Sequence, residues 1–61
     1  AELSLGPQER AILALLSDTP IGPDELIGRT GLTPSQVMAT LSILEMRKVV
    51  RRRPGNLFVR A

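Results

Sequence analysis

The chain contains neither cysteine nor histidine, and this absence constrains its fold more than any other feature. A domain of 61 residues buries only about 60% of the surface that its unfolded chain exposes. Small domains often add disulfides or a structural metal, but here stability must come from side-chain packing. Hydrophobic residues make up 43% of the chain, and Phe58 is the only aromatic one. The sequence therefore predicts one domain over residues 1–61, built around a single aliphatic core.

Positive charge is concentrated in the second half of the chain. Residues 1–30 carry five acidic and two basic side chains, whereas residues 31–61 carry one acidic and six basic side chains. Five of those six cations lie between positions 47 and 53, and such clusters are typical of surfaces that face phosphate groups. The alternative is a solvated strand whose charges prevent pairing with other chains.

Two helices are predicted in the first half. The first runs from Pro7 to about Ser17, because Asp18, Thr19 and Pro20 would interrupt it. The second begins at Pro23 and ends at Gly31, which is suited to a left-handed conformation. Ile21, between two breakers, resembles a very short extended segment. The predicted inward-facing residues of these helices are Ile12, Leu15, Leu16, Leu26 and Ile27.

The third helix has the clearest start in the sequence. Thr33 and Gln36 form a capping box around Pro34, and Leu32 and Val37 are spaced as a hydrophobic staple. We expect the helix to end near position 47. Its predicted inward face consists of Val37, Thr40, Leu41 and Leu44.

Two strand-like runs complete the chain, at residues 49–53 and 57–60. The intervening Pro54, Gly55 and Asn56 fit either a two-residue turn or a three-residue loop, so the register stays open. Val50 and Phe58 are the predicted inward residues of the hairpin. The order of elements predicts a mainly α fold with a small β-hairpin, a winged helix-turn-helix made of three helices plus a wing.

Several short stretches follow the pattern shared by bacterial winged-helix domains. They are Asp24-Glu25-Leu26-Ile27, Thr30-Gly31-Leu32-Thr33, then Val37, Leu41, Leu44, Glu45 and Val50, and finally Arg51-Arg52, Pro54-Gly55 and Phe58-Val59-Arg60. With these stretches the chain most resembles the C-terminal winged-helix domain of the DprA (Smf) family of DNA-processing proteins. One departure is Lys48, where many winged helices have glycine.

The resemblance implies a C-terminal module of a larger, cytoplasmic bacterial protein that acts in DNA uptake, natural transformation and RecA-linked recombination. In that family a separate Rossmann-like domain binds single-stranded DNA, so the winged helix would be an accessory module that contacts DNA, a protein or a second copy. Two alternatives remain open. The chain could be the DNA-binding domain of a transcription regulator, or a winged helix used only for protein interaction or dimerisation.

The wing is the better nucleic-acid candidate. Consecutive arginines on a strand alternate between its faces, so at least one or two of them must face solvent. The third helix carries no cation before Arg47, which predicts weak binding without sequence preference. The candidate nucleic-acid contacts are Arg51, Arg52, Arg53, Arg60, Arg47, Lys48, Gln36 and Ser35.

A second candidate surface lies on the outward side of the third helix. Ala39, Ile43 and Met46 fall on successive turns there and would form an apolar strip able to bind a partner protein or a second copy. The alternative is that Ile43 and Met46 are partly covered by the hairpin or the first helix.

Catalysis is not expected. Asp24 and Glu25 point in different directions in a first helical turn, Asp18 lies in a loop, and no histidine is present to activate a serine. We therefore predict no enzyme activity, metal, cofactor or small-molecule substrate. The longest uncharged apolar run has six residues, far short of the roughly 20 that span a bilayer, so no membrane partner is expected either.

Overall fold

The computed structural model describes residues 6–61, so the first five residues of the predicted domain lie outside the described part. Three helices are followed by a two-stranded antiparallel hairpin, which confirms the predicted winged helix-turn-helix. The elements are α1 (Pro7–Leu15), α2 (Pro23–Thr30), α3 (Pro34–Met46), β1 (Val50–Arg53) and β2 (Leu57–Arg60).

Local signals set the ends of the helices. All three helices have proline in the first turn, where the missing backbone N–H costs no hydrogen bond. The predicted capping box is confirmed, since the Gln36 N–H donates to the Thr33 Oγ1 at 3.2 Å and the Thr33 N–H donates to the Gln36 Oε1 at 2.9 Å. Gly31 ends α2 with φ of 74°, as predicted. The turn between α2 and α3 is therefore only three residues long.

The core lies between the three helices and the inner face of the hairpin. Every predicted inward residue of α3 is buried, and so are Val50 and Phe58. For α1 the predicted inward residues Ile12 and Leu16 are buried and Leu15 is half-buried against the core, whereas the buried Leu13 was not predicted. The core residues are Ile12, Leu13, Leu16, Leu26, Val37, Leu41, Leu44, Val50 and Phe58.

The end of α1 explains this difference. The helix stops at Leu15 rather than near Ser17, and the extended Leu16 then folds into the core. The Ser17 carbonyl accepts a hydrogen bond from the Arg60 N–H, and the Leu13 carbonyl accepts one from the Arg60 Nη2. The last residues of β2 thus close over the side of α1 that carries Leu13, which the sequence had not assigned to the core.

The hairpin has the three-residue loop. Arg53 pairs with Leu57 and Val50 pairs with Arg60, which leaves residues 54–56 as the connection. Gly55 and Asn56 both have positive φ angles, of 85° and 60°, which these residue types tolerate well. This pairing resolves the register that the sequence left open.

Ile21 adds a third segment to the sheet. Its N–H and carbonyl exchange hydrogen bonds of 3.1 and 2.9 Å with Phe58, which confirms the predicted short extended segment. β2 therefore lies between Ile21 and β1, and β1 is the edge strand.

The exit from α3 has the geometry usually provided by glycine. Lys48 has φ of 64°, the Val49 N–H donates to the Leu44 carbonyl, and the Lys48 N–H donates to the Glu45 carbonyl. This pair of bonds is a Schellman motif with a lysine in the left-handed position. Lys48 thus adopts a left-handed conformation that glycine would adopt with less backbone strain.

The C-terminal ends of α2 and α3 each have one residue in the left-handed conformation. Adding glycine at one of these positions and removing it at the other should have opposite effects on the free energy of unfolding. Lys48→Gly should stabilise the domain by about 1 kcal/mol, because it removes the left-handed penalty. Gly31→Ala should destabilise it by about the same amount, since no atom lies within 4 Å of the added Cβ and only backbone strain is introduced. Urea denaturation of both variants measures the effects. Equal effects of the same sign would contradict this account of the two termini.

Candidate nucleic-acid interface

The register assigns the wing arginines to two different faces. Arg52 stands opposite Phe58 and therefore lies on the face that carries the core residues. Arg51 and Arg53 lie on the other face, opposite Val59 and Leu57. Both are exposed, and within residues 6–61 neither side chain forms a hydrogen bond or an ion pair.

The exposed Arg52 side chain is held against the surface of the domain by three contacts. Its guanidinium carbon lies 5.1 Å from the centroid of the Phe58 ring, its Nη2 donates to the Glu45 Oε1 at 3.3 Å, and its Nη1 donates to the Asn56 Oδ1 at 3.4 Å. The cross-strand geometry favours the ring contact, because Phe58 directs both backbone hydrogen bonds at Ile21 and so forms a close, non-hydrogen-bonded pair with Arg52. Of the three wing arginines, Arg52 is thus the least available to a phosphate.

The first turn of α3 offers little for base recognition. Ser35 and Gln36 are exposed, as base contacts would need to be. The Gln36 Oε1, however, already accepts the Thr33 N–H within the capping box. Bidentate recognition of adenine requires both the carbonyl and the amino group of a glutamine, so Gln36 could not make it without losing a helix cap.

The remaining candidate cations lie at the base of the wing, away from its turn. Arg47 is exposed at the C-cap of α3, although it is not without a partner. Lys48 is exposed in the left-handed position, and the Arg60 Nη2 donates to the Leu13 carbonyl at 3.1 Å. Within the hairpin Arg60 pairs with Val50, at the opposite end of the strands from Arg53.

The outward side of α3 is apolar and open to solvent. Ile43 is 43% exposed and Met46 is 82% exposed, and Ala39, one turn before Ile43, is exposed as well. Met46 is almost fully open to solvent, whereas Ile43 is partly covered by the rest of the domain. Met38, which was not among the predicted residues of the strip, is a further exposed hydrophobic residue of α3, with 36% exposure. Met38 directly follows the buried Val37 in the sequence, and this position was the available indication that Met38 would be exposed.

Other kinds of site find no support in the described part of the chain. Within residues 6–61, no three acidic side chains come close enough together to hold a metal ion. In the same range no helix has the length and apolar character needed to cross a membrane.

The geometry defines the class of protein. A three-residue turn joins α2 to α3, and a basic hairpin follows α3, which is the arrangement of a winged helix-turn-helix domain. The chain matches the family model of the DprA winged helix domain over residues 1–56, and it therefore belongs to that family. The match covers all three helices and the wing up to its turn, and the family is a winged-helix module rather than a catalytic one. Comparison with curated proteins gives no match.

Proposed function

We propose that this domain is the accessory DNA-contacting module of a DprA-like protein, and that it binds nucleic acid weakly and without sequence preference through its wing. Within that protein it would be the C-terminal module, in the cytoplasm, in a process of DNA uptake, natural transformation and RecA-linked recombination. The proposal of this process rests on membership of the DprA winged-helix family.

The outer face of the wing carries the proposal. Arg51 and Arg53 project from one face of an edge strand, two residues apart and without counterions among the described residues. Side chains two residues apart on a strand are separated by about 6.6 Å, a spacing at which two guanidinium groups reach neighbouring phosphates of one backbone. Such contacts position a protein on nucleic acid and read no sequence. Phe58 is fully buried, so base stacking on an aromatic ring does not contribute.

An NMR titration of the domain with single-stranded and duplex oligonucleotides tests this proposal. Chemical-shift changes should concentrate at Arg51, Arg53 and the turn of the wing, with similar affinity for unrelated sequences. The alternative function, the DNA-binding domain of a transcription regulator, requires shifts along α3 from Ser35 onwards and a clear preference among sequences.

The apolar strip of Ala39, Ile43 and Met46 favours a second candidate function, contact with a protein. Within residues 6–61, Met38, Ile43 and Met46 are the only exposed large hydrophobic side chains, and all three lie on α3. A winged helix that uses α3 for a protein contact would leave the wing free for DNA. The two functions are therefore compatible on one domain.

Replacement of Ile43 separates the two surfaces. We expect Ile43→Asp to leave the free energy of unfolding within about 1 kcal/mol of the parent, because the side chain is already 43% exposed. Its affinity for DNA should fall only modestly, through charge repulsion. Thermal denaturation and fluorescence anisotropy with a labelled duplex measure the two effects. An unfolded variant would show that Ile43 belongs to the core, and a folded variant without DNA binding would show that α3 contacts DNA.

A further inference from the structure

The surface of α3 differs in charge from the rest of the domain, and this difference indicates which kind of partner it can bind. From Pro34 to Leu44 the helix carries no charged residue at all. Its acidic residue, Glu45, lies at its C-terminal end and is paired with Arg52 at 3.3 Å. The apolar strip of Ala39, Ile43 and Met46 is thus free of acidic groups.

Cations lie immediately beyond the C-terminal end of this strip. Arg47 and Lys48 follow Met46 directly, and the left-handed conformation of Lys48 turns the chain there. Two residues of chain span at most about 7 Å, so Lys48 is within a side chain's reach of the strip.

A shallow groove of about 150 Å³ continues this positive region onto β2. Lys48 and Arg60 both line it, and its lining contains no acidic side chain. The hydrogen bond from the Arg60 Nη2 to the Leu13 carbonyl fixes the guanidinium at this place, while the other guanidinium nitrogens form no hydrogen bond within residues 6–61. Lys48 forms no ion pair with any described residue. The groove is lined by Leu13, Lys48, Val49, Arg60 and Ala61.

We propose that the strip and the groove together bind an acidic amphipathic helix of another protein. This inference rests on the second candidate function above and names the chemistry of its partner. Leucine-like side chains of the partner would cover Ile43 and Met46, and its carboxylates would meet Lys48 and Arg60 beyond the end of α3. A second copy of the domain fits less well, because its α3 offers no unpaired acidic side chain to Lys48 and Arg60, since Glu45 is already paired with Arg52.

Designed peptides test the proposal with the whole chain. The probe is a synthetic helix-forming peptide with leucines at positions i, i+3, i+4 and i+7 and glutamates elsewhere. Its matched control replaces every glutamate with lysine, and a second control shuffles the glutamate peptide so that the apolar face is lost. We expect the acidic amphipathic peptide to bind at least about tenfold more tightly than either control. Backbone amide shifts should map to Ala39, Ile43, Met46 and Lys48.

Substitutions separate the contribution of the apolar strip from that of the groove. Ile43→Asp should weaken peptide binding at least about tenfold, and Lys48→Gln should weaken it about two- to fivefold and reduce its salt dependence. Arg10→Gln removes an exposed cation from α1 and should leave the affinity unchanged. Equal binding of the lysine peptide overturns the inference. Sedimentation that shows self-association lost in Ile43→Asp overturns it in favour of a second copy.

Binding of DNA is measured separately from binding of the peptide. Duplex binding that is lost in Arg51 and Arg53 variants, with peptide binding retained, supports both proposals. Duplex-induced shifts on Ala39, Ile43 and Met46 overturn the peptide inference, because nucleic acid then occupies the strip. Absence of DNA binding with retained peptide binding contradicts only the role of the wing.

Discussion

Leu41→Ala should unfold a large fraction of the domain. Leu41 is fully buried at the centre of α3, and truncation of such a leucine costs about 2 to 5 kcal/mol through lost burial and the cavity left behind. The total stability expected for a domain of this length is about 3 to 9 kcal/mol, so the loss is comparable to the whole. With no disulfide or metal to limit unfolding, the thermal midpoint should fall steeply. Urea and thermal denaturation followed by circular dichroism measure the loss.

A neighbouring substitution provides the control. Ser42→Ala lies one residue further along the same helix on an exposed side chain, so its free energy of unfolding should stay within about 0.5 kcal/mol of the parent. If both variants had the same thermal midpoint as the parent, the packing of α3 against α1 and α2 would have to be different from the one described. Loss of stability in Ser42→Ala but not in Leu41→Ala would reverse the inward and outward faces.

Removal of charge from the outer face of the wing should abolish most DNA binding. In the double variant Arg51→Gln with Arg53→Gln, two phosphate contacts are lost, and at low salt we expect affinity to fall about 10- to 100-fold. The slope of log affinity against log salt concentration should become less negative by about 1.8 for duplex DNA. Fluorescence anisotropy over a range of salt concentrations measures both quantities. The parent slope, if about three phosphates are contacted, should lie near −2 to −3.

Three controls distinguish a local contact from net charge. Arg10→Gln with Arg29→Gln removes the same charge from α1 and α2 and should have a smaller effect. Arg52→Gln should weaken binding less than the double variant, because Arg52 is engaged with Glu45, Asn56 and Phe58. Gln36→Ala should also weaken it less. Tight, salt-insensitive binding that depends on Gln36 would instead identify a domain that reads sequence through α3.

Much of the fold could be predicted because its signals are local. The capping box of Thr33 and Gln36, the left-handed Gly31 and the proline at each helix start act within four residues of chain. The inward face of α3 followed from helical periodicity, since a helix of 13 residues packed on one side buries residues three and four apart. The resemblance to DprA winged-helix domains depended on the same positions, and the match over residues 1–56 confirms it.

The errors lie where one element covers another. Periodicity placed Leu15 on the inward face and did not assign Leu13 to the core, but β2 closes over α1 through the Arg60 hydrogen bonds to the carbonyls of Leu13 and Ser17. These contacts join residues more than 40 positions apart, and no local pattern encodes them. The early end of α1 has the same cause.

The candidate binding sites, like the fold, were predictable from the sequence in some respects and were decided by the tertiary structure in others. Sequence by itself determined that cations cluster in the wing, that α3 has no charge on its outward side, and that no cysteine or histidine chemistry is possible. Only the tertiary structure decided which arginines remain available. A three-residue loop places Arg52 beside Phe58 and Glu45 and leaves Arg51 and Arg53 on the other face, whereas a register shifted by one residue would exchange those faces. The pairing of two strands is a choice between alignments that differ little in local energy, and packing of Val50 and Phe58 into the helical core selects one of them.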